Sequence, residues 1–184
     1  MKVQNDLIKI CESLINTRYK YWLLGDKIDY RPPFYYKTDF HENFNLKYIK
    51  DNGTNCAGFI NIICSRLNKN QPNLDGGTEG WFFCLKKKKK LYKIDPNTKY
   101  PFGTLLLRNY ANECDQGHLA IKYDNEILNK SKIIHCYSTN TPNRKLNQPG
   151  VIIEDFNISN NWFSPTYTHI SYIEDWLACN LDSI

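Results

Sequence analysis

No run of about 18 apolar residues occurs in the chain, so nothing in it reads as a bilayer-spanning helix. The opening residues "MKVQNDLIKICESL" place a charged or polar side chain every two or three positions. They therefore lack the continuous apolar segment and the cleavage site of a secretory signal, and the expected location is cytoplasmic or virion-associated. A disulfide framework is equally hard to find. Cysteines at 11, 56, 64, 84, 114, 136 and 179 are odd in number, follow no regular spacing and fall partly in apolar patterns, which predicts reduced thiols. No internal repeat, domain linker or nucleic-acid motif is visible. Histidine is scarce, confined to positions 41, 118, 135 and 169.

What is present suits one globular domain. The 184 residues, 41% hydrophobic and 14% aromatic, are long enough to bury about 70% of the surface an unfolded chain exposes. The net charge of +5 is concentrated in "LKKKKKLYK" (85–93). Without an accompanying aromatic platform, Lys86 to Lys90 are read as a solvated loop or as protection of a sheet edge rather than as a nucleic-acid foot.

Residues 5–18 carry Leu7, Cys11, Leu14 and Ile15 at helical spacing, with Asn5 or Asp6 available as a cap. The aromatic stretch from Tyr19 to Gly53, broken by "RPPFYY", reads as a long loop. Thr54 or Asn55 can cap a helix over 56–68 with Cys56, Ile60, Ile63, Cys64 and Leu67 on one stripe. After the breaks at "NQPNLDGG" and "DPNTKYPFG" the pattern turns to strands at 104–110, 117–124, 132–138 and 150–156. "THISYIEDWL" is either a last strand or a short helix. Helices followed by antiparallel strands predict an α+β fold, with helices packed on a sheet of about five or six strands. The core spans about 5–156, and 157–184 is a C-terminal extension.

Chemistry concentrates in "NGTNCAGFINIICSRL" (52–67). A cysteine at a helix start faces the positive end of the macrodipole and unpaired N–H groups, both of which favour thiolate, so the Cys56 pKa is expected to fall. His118 opens one strand and His135 lies within the next, and adjacent antiparallel strands can bring them side by side. Alternation sets His118, Ala120 and Lys122 on one face, and Ile133, His135 and Tyr137 on a shared face of the next strand. A helix crossing the sheet can then deliver the thiol to one imidazole acting as base, with the second orienting the first. His169 is the alternative third member. Cys114, His118, His135 and Cys136 also offer zinc-type ligands, but consecutive strand residues 135 and 136 point to opposite faces. Trp81, Trp162 and Trp176 read as core or rim aromatics, and His41 as a loop residue.

The order of these segments resembles the NlpC-type cysteine peptidases, a papain-like group best known as bacterial cell-wall endopeptidases and amidases. An N-terminal helix leads to a Tyr- and Gly-bearing stretch, here "TRYKYWLLGD". A nucleophile motif of the Asp-Cys-Ser-Gly-Phe type is represented by "NCAGFI", a Pro-Gly-Asp-Leu strand by "YPFGTLLL", a His-Val-Gly-Ile strand by "GHLAIKYDN", and the strand with a polar third residue by "KIIHCYS". Asn55, Ala57 and Thr104 stand where the family usually has Asp, Ser and Asp. The resemblance covers about residues 5–140 and implies a papain-like fold and a thiol hydrolase. Cys56 matches the nucleophile, His118 the base and His135 the orienting residue, with Tyr21 or Tyr19 as an oxyanion donor and no metal or cofactor. The implied partner is a peptide, a peptidoglycan fragment or an acylated substrate. An acyltransferase or deacylase, or a catalytically inactive binding module on the same fold, are the rival readings.

Overall fold

The computed structural model describes residues 2–19, 45–67, 77–109, 117–137, 150–156 and 167–179. Helix α1 (Lys2–Leu14) buries Leu7, Cys11 and Leu14, as the spacing predicts. It begins ahead of Asn5 and Asp6, which lie inside it and do not cap it. The stretch read as loop contains a second helix, α2 (Leu46–Asn52), started by Asn45, whose side chain accepts the Tyr48 N–H. Helix α3 (Cys56–Arg66) is capped by Asn55, which accepts the Gly58 N–H at 2.8 Å.

The stripe expected on α3 does not exist, because Ala57 through Cys64 are all buried. The helix runs through the middle of the protein, with α1, α4 (Gly77–Lys87) and the sheet around it. Such a position requires any polar side chain to be satisfied locally. Asn61 meets that requirement by accepting the Trp81 indole N–H at 3.1 Å.

The sheet has strands β1 (Tyr92–Lys93), β2 (Leu105–Arg108), β3 (His118–Lys122), β4 (Lys132–Tyr137), β5 (Gly150–Asp155) and β6 (His169–Ser171). All neighbours are antiparallel, in the order β1-β6-β2-β3-β4-β5. The protein is therefore α+β with a six-stranded antiparallel sheet. "THISYIEDWL" supplies both alternatives, the strand β6 and the short helix α5 (Ile173–Leu177). Residues 169–171, beyond the core expected to end at 156, are thus built into the sheet as β6, between β1 and β2. Among the described residues, no helix is long and apolar enough to cross a membrane.

Both faces of the sheet are covered. Leu105, Leu107, Leu119, Ile121, Ile134, Cys136 and Val151 face the helices, where α1, α3 and α4 add their apolar side chains. Leu106, Ala120, Ile133, Phe156 and Ile170 face the other way, into a second cluster with Tyr100, Leu128 and Tyr167. Consequently β3 is buried along its whole length. Lys122, at its far end, is fully buried, and its ammonium donates to the Asp124 carbonyl at 2.7 Å and carboxylate at 2.9 Å. That charge is tied into structure and is no candidate base.

Two further expectations change. Lys86 and Lys87 form the last turn of α4, where cations favour the helix C-terminus, and Lys90 pairs with Asp175 at 2.9 Å. Cys84 and Cys179, 95 residues apart, form a disulfide joining α4 to the second residue after α5, so the expectation of reduced thiols fails for this pair. Their meeting depends on tertiary packing that no local spacing signals. In denaturant without reductant, alkylation should modify Cys11, Cys56, Cys64 and Cys136 and spare Cys84 and Cys179. Replacing both with serine should cost about 5 kcal/mol of stability by chain entropy, read from urea unfolding. Modification of Cys84 before reductant is added would show the bridge to be absent.

Candidate functional site

The site forms where the start of α3 meets the start of β3. Asn55 holds the helix N-terminus open toward the sheet, and Cys56 is its first residue, half-buried. The Cys56 Sγ lies 3.6 Å from the Thr78 hydroxyl of α4, and hydrogen bonds from the backbone N–H groups of Leu119, Ala57 and Cys56 itself also reach it. The Leu119 contact sets the thiol against β3 one residue beyond His118. Just below it, Cys136 is fully buried and donates to the Thr54 carbonyl at 3.2 Å.

His118 is brought into place by Gly117. That glycine has φ +74°, a conformation costly for any residue with a Cβ, and a Cβ there would collide with the Arg108 carbonyl and the Thr78 methyl. The chain therefore turns sharply into β3 against α4 and β2. Following the alternation of β3, His118 lies with Ala120 on the face away from the helices.

On that face the His118 Nε2 is 2.7 Å from the His135 Nδ1, with the two rings edge to face. Both imidazoles are buried, His135 completely. Aromatic rings hold them in place, with Tyr137 stacked on His135 and Tyr167 tilted over His118. Beyond the pair, the Glu154 Oε1 of β5 lies 3.0 Å from the His135 Nε2. Glu154 is the cross-strand partner of Ile133, so it is the diagonal neighbour of His135 on the same face.

The protein matches no family model and no curated protein sequence. Its chemistry is therefore read from its own residues.

The structure brings His118 and His135 together and places Cys56 beside the strand that carries His118. It does not bring in His169, which packs edge-on against Phe82 at 5.1 Å and pairs with the Thr168 hydroxyl at 2.8 Å. Burial, with Lys93 and Lys86 nearby, keeps the His169 pKa below the usual imidazole range. Tyr19 forms a backbone bridge with Thr54, two residues before the thiol, and is half-buried against the helical core. Tyr21, His41, Cys114 and Trp162 lie outside the described residues. Trp81 and Trp176 are buried core residues in edge-to-face contact. Among the described residues, no group of three His, Cys, Asp or Glu is arranged to hold a metal ion. Cys136 faces the helical core, whereas His135 faces the other way.

The pKa expectation for Cys56 is overturned. Desolvation of the sulfur pushes the thiol above its ordinary value and outweighs the hydrogen bonds from Thr78, Leu119, Ala57 and Cys56 N–H. The helix start is enclosed by α4 and β3, so removal of water from the sulfur dominates the local N–H groups. Thr78 and Glu154 are contacts the sequence reading does not name. For Glu154 a signal exists: in "GVIIEDF" an acid occupies the same alternating face as the apolar Ile152 and Phe156.

The direction of this shift gives a pH dependence. A raised pKa keeps the sulfur protonated to higher pH, so Cys56 alkylation by iodoacetamide should rise through a midpoint above the ordinary thiol value of about 8.5. Thr78→Val removes a hydrogen bond to the thiolate and should slow the reaction at pH 8 by roughly tenfold. A midpoint below that of a free thiol in the intact protein would contradict the direction.

Proposed function

We propose that the chain is a thiol hydrolase that cleaves an amide bond through an acyl-enzyme, with Cys56 as nucleophile, His118 as general base and His135 as the residue that orients it. The observation that carries this reading is the 2.7 Å contact from His118 to His135 at the end of β3 where the Cys56 sulfur meets the strand. A hydrogen-bonded imidazole pair at the start of the strand that a helix-start thiol approaches offers the parts of a base-activated nucleophile. The NlpC-like order of motifs is consistent with it.

Because burial holds the thiol protonated, attack on the carbonyl is coupled to proton transfer from Sγ to His118 rather than launched from a resting ion pair. His118 uses Nε2 toward His135, so Nδ1 is the nitrogen assigned to this transfer. The oxyanion would accept from the Cys56 backbone N–H and from a tyrosine hydroxyl, Tyr19 or Tyr21. On collapse of the tetrahedral intermediate, the carbon–nitrogen bond breaks and His118 returns its proton to the leaving amine. Water, deprotonated by the same imidazole, then attacks the thioester and releases the acid and the thiol.

Peptide, peptidoglycan-fragment and acyl-lysine substrates should be assayed side by side with a thiol acceptor present and absent, which separates hydrolysis from acyl transfer. Cys56→Ala and His118→Ala should each reduce turnover by about a thousandfold or more while leaving the circular dichroism spectrum unchanged. Iodoacetamide should inactivate the protein in step with labelling of Cys56, ahead of Cys11, Cys64 and Cys136. Undiminished turnover by Cys56→Ala sinks the assignment, and a substrate that binds equally to both variants without conversion would favour a binding module.

A further inference from the structure

We propose that Glu154 is a positioning residue that selects the proton-accepting nitrogen of His118 through His135. The inference rests on the proposed role of His118 as base, and it adds a residue of β5 to the site.

The inference follows from counting protons along one line of atoms. A neutral imidazole carries one N–H. The His135 Nε2 lies 3.0 Å from the Glu154 Oε1, and an ionised carboxylate can only accept. Once the carboxylate turns into line with that nitrogen, the proton of a neutral His135 resides on Nε2, and its Nδ1 must act as acceptor. The partner of that Nδ1, at 2.7 Å, is the His118 Nε2, which is then the donor. His118 is thereby fixed with its proton on Nε2, and Nδ1 is the basic nitrogen. Reversing the line gives the wrong base: were Nε2 of His135 the acceptor, His118 would carry its proton on Nδ1 and could not receive one from a thiol there.

The Glu154–His135 contact is at hydrogen-bond distance, but it is out of hydrogen-bond alignment. The Glu154 side chain is 21% exposed and its carboxylate can rotate about a terminal torsion into line, whereas the His135 ring is fully buried and stacked on Tyr137 at 10°. A buried imidazole nitrogen with an acid at this distance also has a reason to hold the acid in place, since leaving it unsatisfied is costly.

Among the described residues, the charged and titratable groups around the pair are His118 and its cross-strand partner Arg108, Tyr137 on β4, Glu154 on β5, and Tyr167 ahead of β6. Glu154 is the acid among them.

The test uses the full-length protein with isotope-labelled imidazoles, in wild type, Glu154→Gln and Glu154→Ala, with and without Cys56→Ala. Two-bond proton–nitrogen spectra at pH 8 should show His118 and His135 each protonated on Nε2 in the wild type. Glu154→Ala should lose this preference and reduce kcat/KM by about 10- to 100-fold, with little change in KM. Glu154→Gln can still accept from Nε2–H, so it should retain both the tautomer and most of kcat/KM. Unchanged tautomers in Glu154→Ala overturn the inference. The spectra require no turnover, so the two readings can fail separately. Tautomers that respond to Glu154 in a protein inert toward every substrate would leave the relay standing and remove the hydrolase. Turnover that depends on Cys56 and His118 but not on Glu154 would do the reverse.

Discussion

Burial of β3 on both faces is the constraint from which the rest of the arrangement follows. Leu119 and Ile121 anchor the helical core on one side, while Ala120 allows the second cluster to close on the other. Between them His118 has one place to go, the face away from the helices at the strand's first position. The thiol approaches from the opposite layer, at the same edge, through the Leu119 N–H. The candidate site is therefore a meeting of two layers around the end of a strand. Its position is set by packing on both sides.

The same enclosure explains why the thiol behaves differently from a cysteine on an exposed helix start. Backbone N–H groups at a helix N-terminus favour an anion when water also reaches it. Here α4 contributes Thr78 and β3 contributes its backbone, and together they displace the solvent that would stabilise the thiolate. A site of this kind keeps its nucleophile quiet until a base takes the proton. The aromatic rings on the far face act in the same sense on the imidazoles, since Tyr137 and Tyr167 hold them rigid and dry.

What was legible in the sequence was local. Asn55 as a cap, the strand alternation that unites His118 with His135, and the four main strands all follow from periods of two or 3.6 residues and from one capping side chain. Helix α2 was hidden because its seven residues sit in an aromatic stretch broken elsewhere by prolines. Helix α3 appeared amphipathic because its polar residues, Asn61 above all, are satisfied by partners distant in the chain. The Cys84–Cys179 pair, the Thr78 contact and the Glu154 contact share one cause. Each depends on which elements become neighbours, and register across a sheet is not written in the spacing of either strand alone. The fall expected of the Cys56 pKa failed for a related reason: helix position is local, but desolvation is a property of the packed assembly.

One consequence concerns the order in which the sheet can be completed. Strand β6 comes last among the described strands, yet it pairs with both β1 and β2. The β2–β3 hairpin and the β4–β5 pair can form from neighbouring segments, but the outer edge of β2 offers unpaired backbone groups until residues 169–171 arrive. An open, largely apolar edge of this kind invites pairing with another chain. Pairing of residues 169–171 with β2, close in sequence to the bridged Cys179, closes that edge within the same chain.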